Sequence, residues 1–163
     1  DVPLTRARGD ALALQLDLYE ALSSAGAGEW TAPAVGSPSY QAYRETWMTC
    51  PRGSASEIYD LASAAHLTDR DAALAAVTPI VEAAGFVVPS QNLTNLPGAT
   101  FYRPRDDAAV SVRFGAVTSV VVSTGCHRGS AFEDWPDGAD VVPDRLRTTG
   151  RAPAAGGGRW NGR

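Results

Sequence analysis

Two cysteines, Cys50 and Cys126, constrain what this chain can fold into more than any other feature of its sequence. They lie too far apart to form a CxxC redox motif or a zinc-binding pair. If the two sulfurs are bonded, the bond closes a loop of about 75 residues, which in the chain-entropy model contributes roughly 4–5 kcal/mol to stability. Because such a bond persists only in an oxidising compartment, we expect an extracytoplasmic domain. The alternative is a pair of unrelated buried thiols.

The composition indicates one globular domain with tails. The chain has 163 residues, of which 44% are hydrophobic, and this share is enough for a core. All 14 basic residues are arginine, which together with many Ala, Gly and Pro is typical of a GC-rich genome such as that of an actinobacterium. A net charge of -4 without a basic cluster argues against binding to nucleic acid or anionic lipid. No stretch approaches the roughly 18 apolar residues of a membrane span.

Apolar residues recur with helical spacing in two segments. Leu4–Ala25 is predicted as the first helix, with Gly26 and Gly28 ending it. The second helix is predicted to begin after Thr68 as N-cap and to end at Gly85.

The period then changes to two, which is typical of strands. The predicted strands are Tyr43–Cys50, Phe86–Val88, Thr100–Arg103, Ala108–Phe114 and Val117–Thr124. The valines of the last strand indicate burial on both faces and therefore a central position. Glu57–Leu67 stays open between helix and strand. Asp106 and Asp107 are predicted to form a hairpin turn.

Together these elements predict an α+β fold: an antiparallel sheet of four or five strands, with two helices packed on one face and one disulfide. Residues 1–126 are expected to form the domain. Residues 127–163 are expected to form a C-terminal extension, partly irregular or flexible, because they are rich in Pro, Gly and Arg.

Several segments resemble the LppA-type lipoproteins of mycobacteria and other actinobacteria. The matching segments are Trp47-Met-Thr-Cys50, Leu67-Thr-Asp-Arg-Asp-Ala-Ala-Leu74, Glu82-Ala-Ala-Gly85 and Val110–Cys126. The Thr-Gly-Cys sequence that ends the last segment is the most specific of these matches. The resemblance covers roughly Leu12–Cys126 and agrees with the α+β prediction.

This resemblance implies an envelope protein held at the cell membrane by a lipidated N-terminal cysteine, which this sequence lacks. The start at Asp1-Val2-Pro3 is typical of a processed chain, and a secreted form is the other expectation. The family carries no established enzymatic role, and membrane contact is expected only through the lipid anchor.

The sequence offers few residues for catalysis. No G-x-S-x-G motif is present, and the only histidines are His66 and His127. His127 could approach Glu133 or Asp134, although a surface histidine beside the disulfide is the expected reading. Because a disulfide also consumes both thiols, we predict no catalytic residues and no enzyme activity.

Paired acids are the only candidates for metal ligands. Asp69 with Asp71, and Asp106 with Asp107, qualify by count, but helix capping and turn chemistry explain both pairs. We therefore predict neither a metal nor a cofactor.

Four aromatic residues form the one suggestive binding feature: Trp30, Tyr40, Tyr43 and Trp47. Tyr and Trp provide large contact areas at partner surfaces and sugar platforms, although core packing also explains them. The resulting hypothesis is a non-catalytic cell-envelope interaction module whose partner is an envelope protein or glycan. The alternatives are a protein that binds a small ligand or glycan, and an unrecognised hydrolase.

Overall fold

The computed structural model describes residues 2–31, 49–87 and 97–132. Two α-helices lie within these residues, α1 (Leu4–Leu22) and α2 (Arg70–Ala83), and a single π-helical turn, Ser23–Ala27, extends α1. The strands of the same residues are β1 (Trp30–Thr31), β2 (Ser54–Ala55), β3 (Ile58–Tyr59), β4 (Ser63–Ala64), β5 (Gly98–Arg103), β6 (Ala108–Phe114), β7 (Thr118–Ser123) and β8 (His127–Arg128). The predicted α+β class is confirmed.

Helix α1 forms where its apolar residues recur every three or four positions. Its buried apolar side chains are Leu4, Ala7, Ala11, Leu14, Leu18, Tyr19 and Leu22. This spacing places them on one face of the helix, which turns toward the core. Gly26 lies within the π turn and Gly28 follows it, and their φ angles of 109° and 75°, which favour glycine, end the helical path.

Helix α2 begins one residue later than predicted. Asp69 is its N-cap rather than Thr68, because the Asp69 carboxylate accepts a hydrogen bond of 3.0 Å from the Ala72 amide. Gly85 ends the helix as predicted, with a φ of 84°.

Replacing Asp69 with alanine should lower the free energy of unfolding by about 1 kcal/mol, because the helix loses its capping hydrogen bond. Urea denaturation measures the loss. Asp71→Ala is the matched control, since Asp71 lies in the same first turn but is not the cap. An equal loss in both variants would show that charge rather than capping is responsible.

The main sheet is antiparallel, with strand order β1-β4-β7-β6-β5 and with β3 also paired to β7. Strand β7 is central, as its valines predicted, because β6 lies on one side of it and β3 and β4 on the other. The open segment 57–67 contains two short strands; within the described residues the main sheet has a path of five strands, and β3 beside β7 is the sixth. Residues 43–48 of the predicted first strand lie outside the described residues, and Val87 forms only an isolated bridge to Tyr102.

A side chain of α1 fills the break between β3 and β4. The Gln15 amide nitrogen lies 3.1 Å from the Tyr59 carbonyl oxygen and 3.1 Å from that of Val120. Gln15 is fully buried, and its amide group takes the place of strand hydrogen bonds where the segment between β3 and β4 does not pair with β7. Helix α1 is thereby held to the centre of the sheet.

Asp60 lies in this break, and its carboxyl group should make the free energy of unfolding depend on pH. Burial raises the pKa of its carboxyl group, and the Arg113 guanidinium partly offsets this shift. The folded chain therefore keeps the proton at pH values where the unfolded chain has lost it. Stability from this group is present below the unfolded pKa, near pH 4, and is lost as the pH rises through the folded pKa.

We therefore expect Asp60→Asn to raise the free energy of unfolding near neutral pH and to change it less below about pH 4. Denaturation at the two pH values measures the difference. Asp17→Asn, at an exposed position of α1, is the control. A gain that does not depend on pH would contradict the assignment to burial.

The two helices lie on one face of the sheet, since α1 contacts α2 and β7 while α2 contacts β5. The largest buried side chains include Trp30 and Tyr19, whose ring centroids are 4.1 Å apart. The Trp30 indole nitrogen donates to the Tyr19 carbonyl oxygen at 3.1 Å and to the Ser23 hydroxyl at 2.9 Å. This stack closes the core at the end of the sheet where α1 finishes.

Candidate functional site at the disulfide end of the sheet

A disulfide joins Cys50 to Cys126, as predicted. The two Cα atoms are 5.6 Å apart, within the usual range for a disulfide. Cys126 follows β7 and Cys50 precedes β2, so the bond ties the segment before β2 to the end of the central strand. We call this edge of the domain the disulfide end.

The turn between β5 and β6 packs against the disulfide through backbone contacts. The Asp106 carbonyl oxygen accepts a hydrogen bond of 3.1 Å from the Cys126 amide. Gly125 makes this approach possible, since a Cβ there would lie 2.1 Å from the same oxygen and the φ of Gly125 is 75°. Close packing against the β5–β6 turn therefore explains why the Thr-Gly-Cys segment has a glycine at this position.

Asp106 forms a two-point ion pair with Arg103. The Nε–Oδ1 and Nη2–Oδ2 distances are both 2.9 Å, and the two side chains are only 13% and 10% exposed. The guanidinium carbon of Arg103 also lies 4.8 Å from the centroid of the Phe86 ring. The charges of these two residues largely neutralise each other at the base of the site.

His127 is buried, not on the surface as the sequence suggested, with 8% of the residue exposed. It is covered because β8 pairs with β2 and because its ring nitrogens reach inward. Nε2 lies 2.8 Å from the Thr124 carbonyl oxygen and 3.5 Å from Asp106 Oδ2, while Nδ1 lies 3.2 Å from the Val2 carbonyl oxygen. These contacts hold β8 against the segment after β7, the β5–β6 turn and Val2. Its predicted acidic neighbours, residues 133 and 134, lie outside the described residues.

A pocket of about 280 Å³ opens at this end of the domain. Its walls are formed by Val2, Ala7, Asp10, Arg103, Arg105, Asp106, Cys126 and His127. They come from α1, the β5–β6 turn and the segment around the disulfide. Asp10 and Arg105 are the most accessible of its charged side chains, being 62% and 71% exposed.

A second ionic cluster lies in the interior beside α1. Arg8 contacts Glu57 at 2.6 Å and 2.8 Å, and Glu57 also accepts hydrogen bonds from the Tyr59 hydroxyl and, at 2.7 Å, from the Phe132 amide. Hydrogen bonding to Glu57 raises the pKa of Arg8, and burial raises the pKa of Tyr59. Because Glu57 is fully buried, this cluster holds the fold together and offers no access to a ligand.

The predicted aromatic surface does not form around Trp30. This residue is only 2% exposed and belongs to the core, which is the alternative the sequence left open. Tyr40, Tyr43 and Trp47 lie outside the described residues. Of the candidate residues from the sequence that the structure describes, Cys126, His127 and Asp106 line the pocket.

The paired acids take structural roles within the described residues. Asp69 caps α2, Asp106 pairs with Arg103, and Asp107 adopts the left-handed turn conformation with a φ of 59°. No group of three or more His, Cys, Asp or Glu side chains suited to a metal is found in residues 2–31, 49–87 and 97–132.

The sequence indicated Arg105 as a possible polar contact on a hairpin, but it did not indicate Asp10, the pocket that the two residues share or the burial of His127. Asp10 and Arg105 are separated by most of the chain, and neither belongs to a motif. The only local signal was the turn at Asp106 and Asp107, which placed Arg105 on a hairpin.

Comparison with known proteins returned no matching family model, curated protein or solved structure. In the parts of the chain that the structure describes, neither helix has the length and apolar character needed to cross a membrane.

Proposed function

We propose that this chain is a non-catalytic interaction domain that works in the cell envelope. The disulfide is the observation that carries the proposal. It indicates an oxidising compartment, and it leaves neither sulfur as a free thiol that could act as a nucleophile. The two histidines support it further. His66 Nδ1 and both ring nitrogens of His127 contact backbone carbonyl oxygens, an arrangement that positions chain segments.

A lipid anchor is part of the same proposal and is supported by the resemblance to LppA-type lipoproteins. Pro3 forms a parallel bridge with Arg128, so α1 begins at the disulfide end, and Val2 before it is exposed. An anchor attached upstream of Val2 would hold the disulfide end and its pocket toward the membrane. The partner is then an envelope protein or glycan.

Thiol trapping in cells tests the compartment. The native gene is expressed in its host, the fractions are alkylated without reductant, and the Cys50 and Cys126 peptides are identified by mass spectrometry. We expect a linked peptide pair in the envelope or secreted fraction. Alkylated free thiols in the cytosolic fraction would overturn the proposal. Labelling with a fatty-acid analogue tests the anchor separately, and its failure would leave only the secreted form.

The non-catalytic assignment is tested with His127→Ala. A panel of ester, amide and glycoside substrates is incubated with the purified chain and with this variant. We expect no turnover above buffer in either sample. Turnover by the purified chain that His127→Ala abolishes, while the variant keeps its circular dichroism spectrum, would establish the hydrolase alternative.

A second candidate function is the binding of a small polar ligand, and the pocket at the disulfide end favours it. The pocket combines two arginine and two aspartate side chains with apolar wall atoms from Val2 and Ala7. Small-molecule binding sites are typically preformed pockets in which a few polar groups are fixed in position.

A further inference from the structure

We infer that the pocket at the disulfide end binds a small zwitterion, with the ligand's carboxylate on Arg105 and its ammonium group on Asp10. Free amino acids and short peptides carry this pair of groups. The inference rests on the second candidate function, the binding of a small polar ligand, and names its ligand class.

The charges that line the pocket divide into an inner pair and an outer pair. Arg103 and Asp106 form the inner pair, which is nearly buried and held at two points. Arg105 and Asp10 form the outer pair, and both side chains are mostly exposed. Because the inner pair is neutral as a unit, the outer pair decides which ligand charges the pocket accepts.

Neither member of the outer pair is firmly held by its present neighbour. Arg105 Nε lies 3.6 Å from Asp106 Oδ2, and Asp10 Oδ1 lies 3.4 Å from Arg6 Nε. Both contacts are long, and Arg105 and Asp10 are themselves mostly exposed, so a ligand can replace these contacts at small cost. Asp106 would keep its two hydrogen bonds to Arg103.

Arg105 and Asp10 face one pocket without pairing to each other. Arg105 stands on the β5–β6 turn and Asp10 on α1, and both line the pocket. The pocket volume of about 280 Å³ leaves room for a ligand of few heavy atoms. A ligand that carries one anionic and one cationic group can contact both side chains.

The same arrangement disfavours ligands with a single charge. A simple carboxylate bound to Arg105 leaves Asp10 without a cationic partner in the ligand, and a simple amine bound to Asp10 leaves Arg105 without an anionic one. A zwitterion supplies an opposite charge to both side chains, so it should bind best. Ala7 and Val2 provide apolar contact for a small side chain.

Amide NMR titration of the disulfide-bonded chain tests the inference. Alanine and the dipeptide Ala-Ala are compared with propionate, ethylamine and glucose. We expect saturable shifts at the amides of Ala7, Asp106, Cys126 and His127 with the zwitterions, and binding at least about tenfold weaker, a difference of about 1.4 kcal/mol, with propionate and ethylamine.

Variants of the outer pair complete the test. Arg105→Gln and Asp10→Asn should each weaken zwitterion binding about tenfold, while Arg70→Gln and Asp17→Asn, whose positions do not line the pocket, should leave it unchanged. Because Arg105 and Asp10 are mostly exposed, their substitution should leave the fold intact, and circular dichroism checks this for each variant.

Three results would overturn the inference: no saturable shift with either zwitterion, propionate binding as tightly as alanine, or binding that survives both variants. Shifts with glucose alone would reject the zwitterion but retain a small-ligand site. None of these results bears on the envelope location, which thiol trapping tests independently.

Discussion

Replacing Glu57 with leucine while Arg8 stays in place is expected to lower the free energy of unfolding by about 3–5 kcal/mol. The substitution removes the carboxylate partner of a buried guanidinium. It also removes the acceptor of the Tyr59 hydroxyl and the Phe132 amide. Buried donors without acceptors are costly because water cannot reach them. Urea denaturation followed by tryptophan fluorescence measures the loss, since Trp30 is buried in the core.

The double variant Arg8→Met/Glu57→Leu separates the value of the ion pair from the cost of breaking it. Replacing both charges with apolar side chains of similar volume should recover a large part of the loss. Arg6→Met is the matched single control, because Arg6 forms an exposed pair with Asp10 and should change stability by less than about 1 kcal/mol. A Glu57→Leu variant as stable as Arg6→Met would contradict the importance of the buried cluster.

Removing the disulfide is expected to have an effect of similar size. Cys50 and Cys126 are 76 positions apart, and the chain-entropy model gives a loss of about 4.5 kcal/mol for a loop of that length. Small domains have a total stability of about 5–15 kcal/mol, so the variant Cys50→Ala/Cys126→Ala should be close to unfolding. Its urea midpoint, compared with that of the oxidised chain, measures the loss.

Reductant provides the control for this experiment. It should lower the stability of the original chain to that of the double variant, and it should not change the double variant itself. A double variant within about 1 kcal/mol of the oxidised chain would show that packing at the disulfide end holds the two segments together without the bond.

The elements that the sequence predicted well are those whose signal is local. Leu4–Leu22 shows a repeating apolar face, and Ala108–Phe114 was predicted with the bounds that the structure has. The valines of β7 correctly indicated a strand with neighbours on both sides. The cysteines also indicated their bond, because the chain has only two and no competing motif.

What the sequence did not predict depends on contacts between distant residues. Residues 57–67 form two short strands because β7 offers an edge to pair with, and their own spacing contains no sign of this. His127 is buried because β2 pairs with β8 and because its ring nitrogens contact the Thr124 and Val2 carbonyl oxygens. The pocket required α1 and the β5–β6 turn to meet, and no pattern within either segment indicates that meeting.

The bridge between Pro3 and Arg128 has a consequence for how the domain is tethered. It places Pro3 next to Arg128, so the start of α1 lies beside β8 at the disulfide end. A group attached before Val2 would therefore be held close to the pocket, whose wall includes Val2. A short tether produces effective concentrations in the millimolar range, so a surface attached in this way would meet the pocket far more often than the same surface free in solution.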